Sequence, residues 1–265
     1  TKTLTVGRDV VHSAPRELFK LTEAIESLIE GAIANKEMIE DLQFKTPDGW
    51  PFDPTLPATQ RVEHRWYCIE ALENDRPLLE SFPEEVLAVE KIEIIAEILV
   101  LFLGSITDGI IPAHIWSKIE HEMLSHKTAV AANDLKVKVL DEMSAAPNHH
   151  ISLVFLTSML GKVIAERVPD VGNREDKMGN GLSKRKSIRK SIEKRVGHQI
   201  GGHRRSKSEA DKAEEVRRAE RRKIEKRFAE AFAPIVIGSA VGWEREKKGS
   251  DGRKREAIEA FLVTG

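Results

Sequence analysis

One cysteine, Cys68, is all the chain has, so no internal disulfide is available, and no group of cysteines and histidines has the spacing of zinc ligands. A disulfide scaffold and a structural zinc domain are both excluded, and a reducing, intracellular setting is expected. Long uninterrupted apolar runs are missing too. The longest, Ile92 to Ile111, is broken by Glu93, Glu97 and Asp108, and the N-terminus carries no apolar stretch, so neither a membrane span nor a secretory signal is expected. Net charge is nearly absent, with 42 Lys and Arg against 43 Asp and Glu over 265 residues. What is present is an apolar fraction of 40%, enough at this length to bury a core and to exclude a chain disordered throughout.

The cancellation of charge hides an uneven distribution. Gly172 to Arg227 carries 20 Lys and Arg against 9 Asp and Glu, a segment of about +11 set into a remainder of about −12. Residues 170–207 are glycine-rich, lack apolar periodicity and contain the runs Lys184-Arg185-Lys186 and Arg189-Lys190. They read as a disordered basic insertion between two core helices. From Ser208 the composition turns helix-favouring but becomes apolar only at Phe228, so residues 208–227 read as a charged helical extension.

Helical periodicity accounts for the rest. Leu18, Leu21, Ile25, Leu28, Ile29 and Ala32 follow Ser13-Ala14-Pro15 at the spacing of one helix face ending near Asn35. Pro47, Pro51, Pro54 and Pro57 then remove the amide donors that helix or sheet needs, so Phe44 to Pro57 reads as a long loop. Val62, Trp66, Ile69 and Leu72 predict a second helix up to Pro77, and Glu84 to Gly104, apolar on more than one face, predicts the central helix. Further helices are expected around Ile115 to Met123, Leu135 to Met143, Ile151 to Val168, Ser208 to Phe232 and Asp251 to Val263. Strand-like alternation is lacking. The reading is an all-α domain of about eight helices spanning residues 13–265, with residues 1–12 as a linker.

The sequence offers no nucleophile motif, phosphate-cradling glycine loop or metal pair on a helix, so no cofactor and no metal are expected. His149 and His150 are adjacent and point about 100° apart on a helix, which suits solvated or helix-start residues rather than chelation. Basic runs in the insertion suit anionic lipid better than nucleic acid, because Gly172 to Arg227 has no aromatic residue on which a base would stack. Ser187, Ser206 and Ser208 follow basic residues and are candidate phosphorylation sites, where phosphate would cancel positive charge. Phe44, Trp50 and Phe52 in the proline-rich loop either fold back onto the body or form a docking surface.

Four segments in order carry a resemblance: Ala14-Pro15-Arg16-Glu17-Leu18-Phe19-Lys20-Leu21, Asp41-Leu42-Gln43-Phe44-Lys45-Thr46-Pro47-Asp48-Gly49, Ile98 to Pro112 (ILVLFLGSITDGIIP), and Phe228-Ala229-Glu230-Ala231-Phe232-Ala233-Pro234. The chain resembles a RhoGAP fold, and most closely the catalytically inactive RhoGAP-like domain that ends the Lowe-syndrome-type inositol polyphosphate 5-phosphatases. Active members of the family place an arginine finger in a Phe-Arg-x-x-Gly loop, where the guanidinium offsets charge on the transferred phosphoryl group. The matching position here is Lys45, a point charge without the planar fork. The supporting lysine and arginine of the family's Leu-Lys-x-Phe-Leu-Arg helix match Val100 and Gly104, and its asparagine before the Phe-Ala-Pro proline falls on Arg227.

What the resemblance implies is a domain without catalysis that binds small GTPases of the Rho, Arf or Rab type, or endocytic adaptor peptides. It would place a phosphoinositide 5-phosphatase on endosomal, Golgi or plasma membranes from the cytoplasm, with residues 1–12 as the junction from a preceding domain. Phe44, Lys45 and Trp50 are the expected partner-facing residues, with Trp116 as a further one that its helix would otherwise bury. Two alternatives stay open at this point: an active Rho-family GTPase activator using Lys45 or a displaced arginine, and an anionic-lipid scaffold acting through the basic insertion.

Overall fold

A computed structural model of the chain describes residues 14–33, 48–52, 64–125, 131–168, 209–238 and 250–263. Eight α-helices occur among these residues: α1 (Arg16–Ile33), α2 (His64–Glu73), α3 (Ala88–Gly104), α4 (Ala113–Ser125), α5 (Ala132–Met143), α6 (Pro147–Arg167), α7 (Glu209–Val236) and α8 (Ser250–Leu262). No strand accompanies them in the described part, and the all-α expectation stands. No helix there is long and apolar enough to cross a membrane.

The core grows around α3. Its Ile92, Ile94, Ile95, Ala96, Ile98, Leu99 and Leu103 are buried, and it packs on α1, α2 and α7. α1 supplies Leu18, Leu21, Ile25 and Ile29 from one face, three or four residues apart, and lies between α3 and α6. On the other side α8 packs most extensively on α7 and also covers α5 and α6. Arg253 of α8 ties that layer to α4 by donating two hydrogen bonds to Glu120 Oε1, at 3.0 and 2.8 Å.

Three boundaries depart from the periodicity, each for a local reason. The second helix was expected to run to Pro77 but stops at Glu73. Asp75 takes a left-handed backbone (φ 55°) and the Arg76 amide turns back to the Ala71 carbonyl at 2.8 Å, which closes the helix end. The central helix begins at Ala88 instead of Glu84, because Pro83 opens a tight turn in which the Val86 amide donates to the Pro83 carbonyl, with Val86 plugged into the core. α6 begins at Pro147 and not at Ile151, since proline in the first turn has no amide to waste and its φ already suits a helix.

The early part of α7 is bare. Residues 211–223 are exposed or half-buried, and its buried face begins at Ile224 and continues through Phe228, Phe232 and Val236. Beyond its end Ile237 pairs with Ile111 in a single parallel bridge, in which the Gly238 amide donates to the Ile111 carbonyl at 2.9 Å. The approach requires glycine on both sides. Gly109 has φ +68°, and a Cβ there would lie 2.6 Å from the Gly238 nitrogen, while one on Gly238 would lie 2.2 Å from the Asp108 carbonyl oxygen.

A clasped turn and an open apolar cleft: the candidate site

Of the proline-rich loop, Asp48 to Phe52 is described, and it is fastened to the body rather than presented to solvent. A tight turn closes as the Phe52 amide donates to the Gly49 carbonyl at 2.9 Å, and the Trp50–Pro51 peptide is cis. Trp50 is 3% exposed and its indole donates to Glu93 Oε1 of α3 at 2.8 Å. Arg167, at the end of α6, donates from Nη1 to the carbonyls of Asp48 and Trp50, both at 2.9 Å, with its guanidinium 6.0 Å from the Trp50 ring centre. Phe52 sets its ring edge-on to Phe228 and Phe232 of α7, with centroids 5.2 and 5.0 Å apart.

Burial lowers the Arg167 guanidinium from 12.5 to about 10, the nearby Asp48 charge acting against that shift, so it stays protonated at neutral pH. A charged group held among backbone carbonyls in this way fixes the direction in which the loop leaves the body. Arg167 and Glu93 were not singled out from the sequence. Two signals existed: Arg167 shares the spacing of Leu160, Val163 and Ile164 on a buried face, and Glu93 interrupts an otherwise apolar run.

The expected partner-facing surface therefore needs correction. Trp50 is turned inward, where Glu93 takes its indole N–H and Arg167 donates to its carbonyl. Trp116 is 4% exposed on the inner face of α4, and its indole N–H finds no acceptor among the described residues. Neither ring is available to a partner. Phe44 and Lys45 lie outside the described residues, as do Ser187, Ser206 and Ser208 and the whole of the basic insertion at residues 170–207. His149 is a helix-start residue but is not solvated: it is buried, with Nδ1 2.9 Å from the Ile110 carbonyl oxygen.

The three positions matched to the family's supporting residues are described. Val100 is partly buried against the core, Gly104 ends α3 with open space around it, and Arg227 is exposed and paired with Glu230 at 3.1 Å. No group of three or more His, Cys, Asp or Glu side chains suited to a metal ion occurs among the described residues.

Apolar surface is instead exposed where the start of α1 meets the later turns of α2 and α3. A cleft of about 530 Å³ there is lined by Ile69, Leu72, Ile98, Leu101 and Phe102, with Arg16, Glu17 and Glu73 at its rim. Leu101 is 58% exposed, and Trp66, one turn before Ile69 on α2, is 66% exposed. The rim is braced by Asp75, which takes Arg16 at 2.8 Å and also pairs with Lys20. The hydrogen bond from Lys20, with the charge of Arg16, holds the Asp75 carboxyl below its ordinary value. Nothing in the periodicity pointed to the cleft, because Leu101 sits in a run that is apolar on more than one face. No family model, curated protein or solved structure matches this chain, and its functional reading rests on these residues and their geometry.

Proposed function

We propose that the chain is a non-catalytic, RhoGAP-like interaction module of a phosphoinositide 5-phosphatase. It brings that enzyme to endosomal, Golgi or plasma membranes by binding a small GTPase of the Rho, Arf or Rab type or a helical adaptor peptide. The reading is carried by one observation, the missing cations of the GTPase-facing machinery: lysine stands at 45, and Val100 and Gly104 occupy the matching positions on α3. Val100 packs inward and Gly104 has no side chain, so neither helps steady a finger at position 45. An arginine finger contributes about 10³ to 10⁵ in rate, and a lysine lacks the planar fork that makes this possible.

The partner surface fits the cleft between α1, α2 and α3. A concave apolar strip with charged residues along its rim suits an amphipathic helix laid into it. Leu101 and Trp66 are the anchors on this side, since large exposed apolar side chains supply much of the energy in small interfaces.

Single-turnover GTP hydrolysis by Rho- and Rac-type GTPases tests the absence of catalysis. No stimulation is expected; stimulation above about a hundredfold that disappears in Lys45→Ala would overturn the reading. Binding to GTP-loaded Rho, Arf and Rab proteins and to adaptor peptides tests the surface. Leu101→Glu places a charge in the cleft without disturbing the core, and an affinity loss of about thirtyfold is expected for the partner that binds.

A further inference from the structure

The outward side of α7 between Val216 and Arg227 has one sign of charge. With a rotation of 100° per residue, Arg222, Lys223 and Lys226 fall on the side opposite the buried Ile224, Phe228 and Phe232, and all three are exposed. Ala219 lies at the centre of this side and Val216, 57% exposed, at its edge, while Arg227 flanks it. The acids of the helix lie elsewhere. Glu225 is buried against Arg221, Glu214 pairs with Arg218, the exposed Glu220 lies at the margin near Arg227, and Asp211 and Glu215 share the outward side only in the turns before Val216. Arg227 pairs with Glu230 and the charge of Arg222 also acts on the buried Glu225, so Arg222, Lys223 and Lys226 form the exposed cationic set of this side.

We infer that this face of α7 is a membrane-contact surface for anionic phospholipid headgroups. Three features favour a lipid plane. The cations lie within about 6 Å of one another along one side of the helix axis, so a flat surface meets all of them at once. Beside them, one and two turns earlier on the same side, are Ala219 and Val216, small apolar side chains that rest at a headgroup boundary without cost. The body outside Gly172 to Arg227 carries about −12, so a negative membrane repels it and attracts this helix, which turns α7 toward the lipid. A nucleic-acid ligand is less well served, since neither the helix up to Arg227 nor the segment leading to it offers an aromatic ring. The surface lies on a different helix from the cleft and does not depend on the RhoGAP-like reading.

The test is vesicle sedimentation of the full chain with phosphatidylcholine alone and with phosphatidylcholine containing phosphatidylserine, repeated with the triple variant R222A/K223A/K226A. Each basic side chain near an anionic surface contributes about fivefold, so the triple variant is expected to bind the phosphatidylserine vesicles about a hundredfold more weakly. The parent is expected to ignore phosphatidylcholine alone, and the single change Arg222→Lys to bind as the parent does. The three residues are exposed, and an unchanged helical circular dichroism spectrum and melting temperature in the triple variant confirm that the fold is kept. Equal binding by the triple variant and the parent would overturn the inference, as would binding that does not depend on phosphatidylserine. Preferential binding of a short DNA duplex, lost in the same variant, would overturn it in favour of a nucleic-acid ligand.

Discussion

Replacing Phe52 by alanine asks whether the turn that closes the proline-rich loop is held by the core. The ring is 2% exposed and set edge-on to Phe228 and Phe232. Burial of a phenylalanine side chain contributes about 2 to 3 kcal/mol by area alone. The vacated space adds a cavity cost, because Phe228 and Phe232 are anchored on a helix and cannot follow the backbone inward, and the lost edge contacts add about 0.5 to 1.5 kcal/mol. Phe52→Ala is therefore expected to lower stability by about 3 to 5 kcal/mol, and Phe52→Leu by about 1 to 1.5 kcal/mol. Urea denaturation followed by circular dichroism reads this as a shift in midpoint at constant slope. In a domain of this size the alanine variant should melt roughly 10 °C lower. A loss below about 1 kcal/mol for Phe52→Ala would refute the packing of this turn against α7 and reopen the loop as a free partner surface.

Two further outcomes follow from buried titratable groups. Cys68 is fully buried and its thiol is pushed up to about 12 by burial, so a disulfide reagent should modify it only as the protein unfolds, at least about a thousandfold more slowly than a free cysteine; immediate reaction in native buffer would contradict the placement of α2. Burial lifts the Glu225 carboxyl above its ordinary value, with Glu259 adding to the rise and Arg221 opposing it. The folded state thus holds that proton more tightly, and stability present below the ordinary carboxylate range is lost as pH rises through the elevated folded value. Glu225→Gln should flatten that part of the stability profile, measured from urea midpoints between about pH 4 and 8, and should leave the protein at neutral pH at least as stable; an unchanged slope refutes it.

The helices were legible because burial acts on residues three or four apart, and Leu18, Leu21, Ile25 and Ile29 announce α1 without any tertiary knowledge. The ends were less so. Asp75 ends α2 by adopting a conformation that its residue type tolerates but does not demand. The aromatic residues were misread for a different reason. A tryptophan in a proline-rich loop is exposed or buried according to what waits for it on the body, and for Trp50 that is Glu93, 43 positions on, and Arg167, 117 positions on. The cleft shows the complementary limit: periodicity says that α3 is apolar on more than one face, while only the placement of α1 and α2 decides that Leu101 stays uncovered.

The meeting of Gly109 with Gly238 has a consequence for how freely this protein can vary. The start of α4 and the end of α7 are aligned there by backbone hydrogen bonds between Ile110, Ile111, Val236 and Gly238, at distances that leave no room for a Cβ on either glycine. Neighbouring Ile110 and Val236 are fully buried, yet exchanging either for another aliphatic residue alters only how the space is filled, a change cores absorb. Any residue with a Cβ at 109 or 238 moves one helix end relative to the other. The alignment of these two helix ends is thus insulated from drift in the core around it, and rests on two positions where the alphabet has a single letter.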